Sequence, residues 1–314
     1  MRFIAQKIGM AVVILVVVSL AVAWLVELIP GTPAALVLGD TSAPGALERF
    51  NHEHGYDQPF LVRYWNWMLN ALHGDLGTSV HNNQKVTDLL AGHVSVSVEI
   101  AILAMAISLL IALPLALYCG AREDGIVDRV VTAISSGFFS LPSFVTAVFL
   151  SEIFAARYQL LPTYGWSPIE QGLGENLRFA AMPVLSLCAG VTPLFLRVLR
   201  ADVVGVLRED FVLSARARGL PDRYILLRHV LRPASVSLFT ISALVFGFLL
   251  GGSIVIETYF SLPGIGLVVS QAVTGKDLPV IQGVVVLVAL IYLVLNTLVD
   301  LIHAVIDPRV AAKQ

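Results

Sequence analysis

The residues in this 314-residue chain that could do chemistry are few, and most lack the partners that chemistry needs. His52 and His54 flank Glu53. In a strand, two imidazoles so spaced would share a face and could begin a metal site, but no third ligand stands at a diagnostic spacing. Exposed loop histidines are the simpler reading, so no metal ligand is assigned. Gly275-Lys276-Asp277 resembles the tail of a phosphate-binding loop. The upstream glycines of G-x-x-x-x-G-K-[ST] are missing, however, and an acid replaces the hydroxyl residue that would meet magnesium. Five carboxyls lie in or near apolar stretches: Glu27, Glu99, Glu152, Glu257 and Asp300. Ionisable groups inside a membrane are expensive and are functional candidates by default. Glu99 and Glu152 could line a water-filled cavity, or be hydrogen-bonded between helices. Glu27 and Glu257 are placed near the outer interface. No lysine or arginine stands inside a span to pair with any of them, so no proton relay is evident. The histidines fall almost wholly in loops, with only His303 near a span, and no G-x-S-x-G nucleophile accompanies them. Together these observations argue against catalysis, hydrolysis of ATP by this chain included, and no catalytic residue or cofactor is assigned to it.

The elements that position these residues are membrane helices. The chain is 57% hydrophobic and only 13% charged, with mean hydropathy +0.83. A hydrocarbon core of roughly 30 Å takes about 20 helical residues to cross. Backbone groups in lipid must be satisfied internally, which leaves helices or a closed barrel. The apolar runs are continuous rather than alternating, so helices are expected: six of them, at 8–29, 94–118, 130–156, 179–196, 236–256 and 280–306. The first run is about 22 residues, longer than the 7–15 of a signal-peptide core, and is read as a retained helix. Fourteen of the twenty lysines and arginines fall on one side if both termini are cytoplasmic, the orientation favoured by the positive-inside tendency. Cys119 and Cys188 have no reason to pair and are expected as free thiols. The expected divisions are an N-terminal helix (1–29), an extracytoplasmic segment (30–93), a core of five spans (94–306) with a cytoplasmic loop at 200–233, and a tail (307–314).

Three polar stretches face water in this arrangement. Segment 30–93 contains Arg63-Tyr64-Trp65-Asn66-Trp67, read as an amphipathic helix near the headgroups, where tyrosine and tryptophan are favoured. Residues 157–178 carry Pro162, Gly165, Pro168, Gly172 and Gly174, which is turn chemistry. Residues 208–233, REDFVLSARARGLPDRYILLRHVLRP, hold much of the scarce charge. Apolar residues there recur at helical spacing up to Gly219-Leu220-Pro221, which ends one helix, and Asp222 can start another. A helix, a turn and a second short helix are predicted to project into the cytoplasm. Such a hairpin could anchor to anionic lipid at about 1 kcal/mol per basic residue. The interspersed Glu209, Asp210 and Asp222 fit a protein-docking surface better. Pro142-Ser143, Pro183, Pro193 and Gly247 to Gly252 break up the spans, as in a bundle that changes shape, though close packing through small residues explains part of this.

This loop resembles the EAA loop of ABC importer permeases, in the form used by the dipeptide/oligopeptide/nickel branch. The matching pieces are Leu207-Arg208-Glu209-Asp210-Phe211-Val212, Ala215-Arg216-Ala217-Arg218-Gly219-Leu220 and Leu227-Arg228-His229. Leu213 and Ser214 replace the general motif's glutamate and first alanine, and Pro233 comes one place late. Further pieces match in order along nearly the whole chain: Gly55-Tyr56-Asp57-Gln58-Pro59, Gly74-Asp75-Leu76-Gly77, Ser140-Leu141-Pro142-Ser143-Phe144, Gly251 to Glu257, Pro263-Gly264-Ile265-Gly266, Asp277 to Gly283 and Asp307-Pro308-Arg309. The resemblance implies a type I ABC importer permease fold, all-α with six transmembrane helices, in a bacterial or archaeal plasma membrane. It also implies four partners: a homologous second permease, two cytoplasmic ATPase subunits that bind ATP and magnesium, and an extracytoplasmic binding protein. Asp210, Ala215, Arg216, Arg218, Gly219 and Leu220 would contact an ATPase subunit. Glu99, Pro142, Ser143, Glu152, Gly251, Gly252 and Glu257 are pathway or gating candidates. Cargo within the branch could be dipeptides, longer peptides, glutathione, nickel chelates or haem. A stand-alone channel or secondary transporter would instead show inverted repeats, and none is visible.

Overall fold

A computed structural model describes residues 2–28, 33–38 and 45–306. The expected tail 307–314, with its Asp307-Pro308-Arg309, lies outside the described residues, as do the side chains of Arg2, Lys7, Asp300 and His303. The described residues are helical throughout, apart from turns and one isolated bridge between Thr78 and Lys85. In order the helices are α1 (Arg2–Glu27), α2 (Pro33–Leu38), α3 (Ala46–Glu53), α4 (Phe60–Leu72), α5 (Val86–Ala121), α6 (Ile126–Ser140) and α7 (Ser143–Leu150). Then come α8 (Leu173–Leu207), α9 (Asp210–Ala217), α10 (Asp222–Tyr224), α11 (Leu231–Gly252), α12 (Ile254–Tyr259), α13 (Ile265–Gly275) and α14 (Leu278–Ile306).

Four helices among the described residues are long and apolar enough to cross a membrane: Val86–Ala121, Leu173–Leu207, Asp222–Gly252 and Leu278–Leu298. The described apolar part of α1, Val12–Glu27, occupies the place of the first expected span. The expected span at 130–156 is a bent pair, Ile126–Ser140 and Ser143–Arg157, turning through 97° at the expected break. Pro142 forces the turn. It denies the preceding residue the helical region, and Leu141 is extended at φ −88°, ψ 124°. The last turn after α7, Ser151–Arg157, widens to π-helical geometry. The expected span at 236–256 starts much earlier. The helix that Asp222 begins runs unbroken, through a π-helical turn at Ile225–Val230, to Gly252.

The chain forms two compact units that alternate along the sequence. The first comprises Met1–Ser97 and Pro263–Leu293. Its core gathers Val86 and Leu90 of α5, Ile265 and Val268 of α13, and Val280 and Ile281 of α14. The α13 helix lies between the expected spans at 236–256 and 280–306. The second unit comprises Val98–Leu262 and Val294–Gln314. There α8 is the central element, packed by α6, α7 and α11, with Phe195, Leu199 and Val203 wholly or nearly wholly buried. Gly120 of α5 allows a close crossing: a β-carbon there would stand 2.5 Å from Val203 Cγ1.

Candidate functional site

The predicted hairpin is present as α9, a turn, and the start of the long Asp222–Gly252 helix. Glu209 is extended at φ −72°, ψ 146° and precedes α9, and Asp210 puts an acid in the first turn, where the helix dipole favours negative charge. The stop is a Schellman motif. Gly219 N–H bonds Arg216 O at 2.9 Å, and Leu220 N–H bonds Ala215 O at 3.3 Å. Gly219 takes φ +77°, which glycine adopts without steric cost. Pro221 then accepts from the N–H groups of Tyr224 and Ile225 at 2.9 and 3.1 Å, starting the next helix.

Packing divides the hairpin into two faces. Val212, Ala215, Ile225 and Val230 are buried, and α9 lies against both α8 and the π-helical turn. Ala215 therefore holds the hairpin together from inside rather than sharing its displayed surface. Asp210, Arg216, Arg218 and Gly219 are exposed, and Leu220 is half-buried. Beside them Phe211, Leu213, Tyr224 and Leu227 leave apolar surface open, Leu227 by 62%. The result is an exposed surface that mixes apolar and charged side chains. Arg216 and Asp222 stand 3.7 Å apart across the turn, both well exposed, and such a pair adds little stability.

The base of the hairpin is fixed by two ion pairs with no local signature in the sequence. Arg200 on α8 holds Asp128 on α6 through both nitrogens, Nε to Oδ1 at 2.5 Å and Nη2 to Oδ2 at 2.6 Å. Asp128 is 3% exposed and also accepts from Asp124 N–H at 3.0 Å. Bidentate geometry of this kind gives strength and fixes direction. About two helical turns further on, Arg208 donates to Glu123 at 2.8 Å. The short 122–125 turn is thereby tied to the end of α8, directly before α9.

The pathway candidates are spread over several elements. Glu99 accepts from Asn176 Nδ2 at 2.7 Å, and the same amide donates to Ser167 O at 3.0 Å. This carboxylate ties α5 to α8, and Asn176, 1% exposed, was not singled out by sequence. Pro142 is exposed at the elbow and Ser143 opens α7, while Glu152 is exposed on the π-helical turn. Gly251 and Gly252 end α11 in exposed positions. Glu257 lies on α12 and is fully buried, accepting from Ser253 Oγ at 2.7 Å. Because α12 packs against α7 and α8, Glu257 and Ser143 sit on neighbouring helices.

In the first unit, Gly275-Lys276-Asp277 forms a structural clamp. Asp277, 3% exposed, accepts from Ser79 Oγ at 2.5 Å and Val80 N–H at 3.1 Å. Gly275 O pairs with His81 Nε2 at 2.8 Å. Burial first, and the Asp277 charge second, push the Tyr56 hydroxyl up to about 12. His52 and Glu53 are on α3, a helix rather than the expected loop, and His54 caps its end. The His54 ring stacks on Phe50 at 4.2 Å. Among the described residues no group of three or more His, Cys, Asp or Glu side chains is gathered as a metal site would need.

A bundle of long apolar helices with a broken span, and a polar hairpin projecting between two of them, defines a membrane permease of the ABC importer type. The chain belongs to the family described as the binding-protein-dependent transport system inner membrane component, whose model matches residues 112–312. The N-terminal model of the same system matches residues 1–101. A protein of Brucella abortus (strain 2308), named as a peptide transport system permease, is 32% identical over 308 residues, covering 98% of each chain. The glutathione transport system permease protein of Pectobacterium atrosepticum is 33% identical over 311 residues, covering 99% of each. The fold is also that of a chain in the inward-facing MetNI methionine ABC transporter, with TM-score 0.57 and 18% identity over 70% of this chain and 97% of that one.

Proposed function

We propose that this permease carries peptides inward across a bacterial plasma membrane. It does so beside a homologous second permease, driven by two cytoplasmic ATPase subunits and fed by an extracytoplasmic binding protein. ATP and magnesium are bound by the ATPase subunits. The observation that carries this reading is the projecting hairpin. Its interior residues, Val212 and Ala215, are used for packing, and its outer residues, Asp210, Arg216, Arg218, Gly219 and Leu220, are left to meet a partner. Peptide cargo is supported by relatives named for peptide and glutathione transport, glutathione being itself a small peptide.

In this mechanism the ATPase subunits close on ATP and carry the docked hairpins with them, a rigid-body switch that turns the cavity between the two permeases inward. The hairpin is suited to that work because it is braced on both sides. The Arg200–Asp128 and Arg208–Glu123 pairs fix its entry, and its exit is helically continuous with a span. Glu99, Glu152, Glu257 and the Pro142-Ser143 and Gly251-Gly252 breaks belong to the pathway and its gating.

The test is reconstitution in proteoliposomes. The purified chain alone hydrolyses no ATP, whereas the assembled complex with its loaded binding protein couples hydrolysis to uptake of labelled peptide. Robust hydrolysis by the isolated chain would overturn the partner-driven mechanism. Coupled uptake of a non-peptide cargo with peptides excluded would overturn the cargo.

A further inference from the structure

The aromatic helix α4 is tied to α1 at a depth that a helix resting on the membrane surface could not reach. Every residue of α1 between Lys7 and Glu27 is uncharged, a stretch of roughly 30 Å at 1.5 Å per residue, which matches the hydrocarbon core. On that scale Ser19 lies about 12 Å and Val16 about 16 Å inside Glu27. Tyr64 of α4 donates its hydroxyl to Val16 O at 3.0 Å and shares a 2.8 Å hydrogen bond with Ser19 Oγ. The ring is buried at 6% exposure. The preceding residue, Arg63, reaches the other way and donates to Glu27 Oε2 at 2.8 Å. Two successive side chains thus stretch to the edge and toward the middle of the apolar span, and the α4 backbone lies between those levels. Long cationic side chains near a membrane interface reach in this way for the polar boundary.

A second face of α4, beside the one that meets α1, fits this depth. Leu61, Trp65, Leu69 and Leu72 form a helical stripe exposed by 41–78%, which water would penalise. Two apolar clefts flank the line where α4 meets α1. One, of about 530 Å³, is lined by Val16, Leu20, Leu61, Val62 and Trp65 among others. The second, of about 550 Å³, is lined by Val17, Leu20, Trp24, Phe60 and Leu61 among others. No charged side chain lines either cleft, and the one hydroxyl at hand, that of Tyr64, is already committed to α1. The second cleft includes the exposed Val17 and Trp24 of α1 itself, the surface of a membrane span. The polar groups of this region face another way: Asn66 lines a separate cavity of about 390 Å³ with Gln58, Gln282 and His52.

We propose that α4 is inserted into the leaflet at the Glu27 end of α1, and that lipid acyl chains occupy the two clefts beside it. The outer part of this permease is then in part a lipid-embedded element rather than an entirely aqueous one.

The test places a spin label at Leu61→Cys and Trp65→Cys in the assembled complex in lipid nanodiscs, with Cys119 and Cys188 exchanged for alanine. Asp57→Cys serves as the aqueous control, and Val62→Cys replaces either stripe variant that fails to assemble. Collision with oxygen, which concentrates in acyl chains, is compared with collision with a water-soluble nickel chelate. Oxygen dominates at 61 and 65 and the nickel chelate at 57 if the helix is inserted. Dominance of the nickel chelate at 61 and 65 would overturn the proposal. Protection of both positions from both reagents would mean a protein covers the stripe, and would overturn it equally.

Discussion

The sharpest test of the hairpin is its turn residue. Gly219 sits at φ +77°, and a β-carbon built there meets no heavy atom within 4 Å. A substitution at this position is therefore penalised by its backbone conformation alone, not by collision with neighbours in this chain. The left-handed conformation costs an ordinary L-residue about 1–2 kcal/mol, and a β-branched residue is the least tolerant of it. Gly219→Val is expected to favour hairpins whose turn has rearranged, at the expense of the bonds from Gly219 and Leu220 N–H to Arg216 and Ala215 O. If only the native turn docks, 1–2 kcal/mol lowers the competent population by roughly 5–30-fold. Gly219→Asn adds a side chain of comparable size, though polar, at lower backbone cost, because asparagine tolerates the left-handed region better than other non-glycine residues. Both variants are assayed as complexes in proteoliposomes, measuring peptide uptake and ATP hydrolysis stimulated by the loaded binding protein. Coupled uptake should fall with valine by about that factor and remain near native with asparagine. Native uptake by Gly219→Val would refute the reasoning. Equal loss in both variants would show instead that any side chain at 219 is excluded by the docked partner.

Asp128→Ala leaves the Arg200 guanidinium without its bidentate partner and should cost about 3 kcal/mol, seen as early thermal unfolding in detergent. The paired change Asp128→Leu with Arg200→Met should recover much of that loss, since no orphan charge remains. Asp277→Ala removes the acceptor of Ser79 Oγ and Val80 N–H. It should cost about 1–3 kcal/mol and speed amide exchange at Val80 and His81, with exchange in α8 unchanged. The same variant should let the Tyr56 hydroxyl ionise below its native value of about 12. The shift is partial, because burial is the larger cause and remains.

The hairpin and the places of the spans were legible in the sequence because each rests on local signals: long apolar runs, a charge island and a glycine stop. What was not legible has identifiable causes. The α5 helix begins at Val86 rather than 94 because Thr87, Asp88 and His93 are compatible with a helix that extends beyond the hydrocarbon. Pro114, Pro183 and Pro193 stand inside helices without ending them, whereas Pro142 produces the elbow, and periodicity does not distinguish the two outcomes. The α13 helix falls between the expected spans at 236–256 and 280–306, where no element was expected. Its stop is a Schellman motif whose left-handed position is Lys276, φ 53°, not glycine. Ser261 plays the same part after α12, with Leu262 N–H bonded to Glu257 O at 2.8 Å. Asp128 and Arg200 are 72 residues apart, and no spacing rule joins partners at that separation. Ala215 matched a motif position yet is buried, since a motif records that a residue type recurs and not which way it faces.

The unbroken run from Asp222 to Gly252 has a mechanical meaning. Its 31 residues measure about 46 Å at 1.5 Å per residue, with the Gly219 turn at one end and the Ser253 break beside the buried Glu257 at the other. A rod of that length is a lever: tilting it by about 10° carries the far end through roughly 8 Å. Its soft point is the π-helical turn at Ile225–Val230, close to where force would be applied. If the hairpin docks as proposed, the motion passed along this helix depends on how stiff that one turn is, and straightening it would change the displacement at Gly252 without altering the Gly219 turn itself.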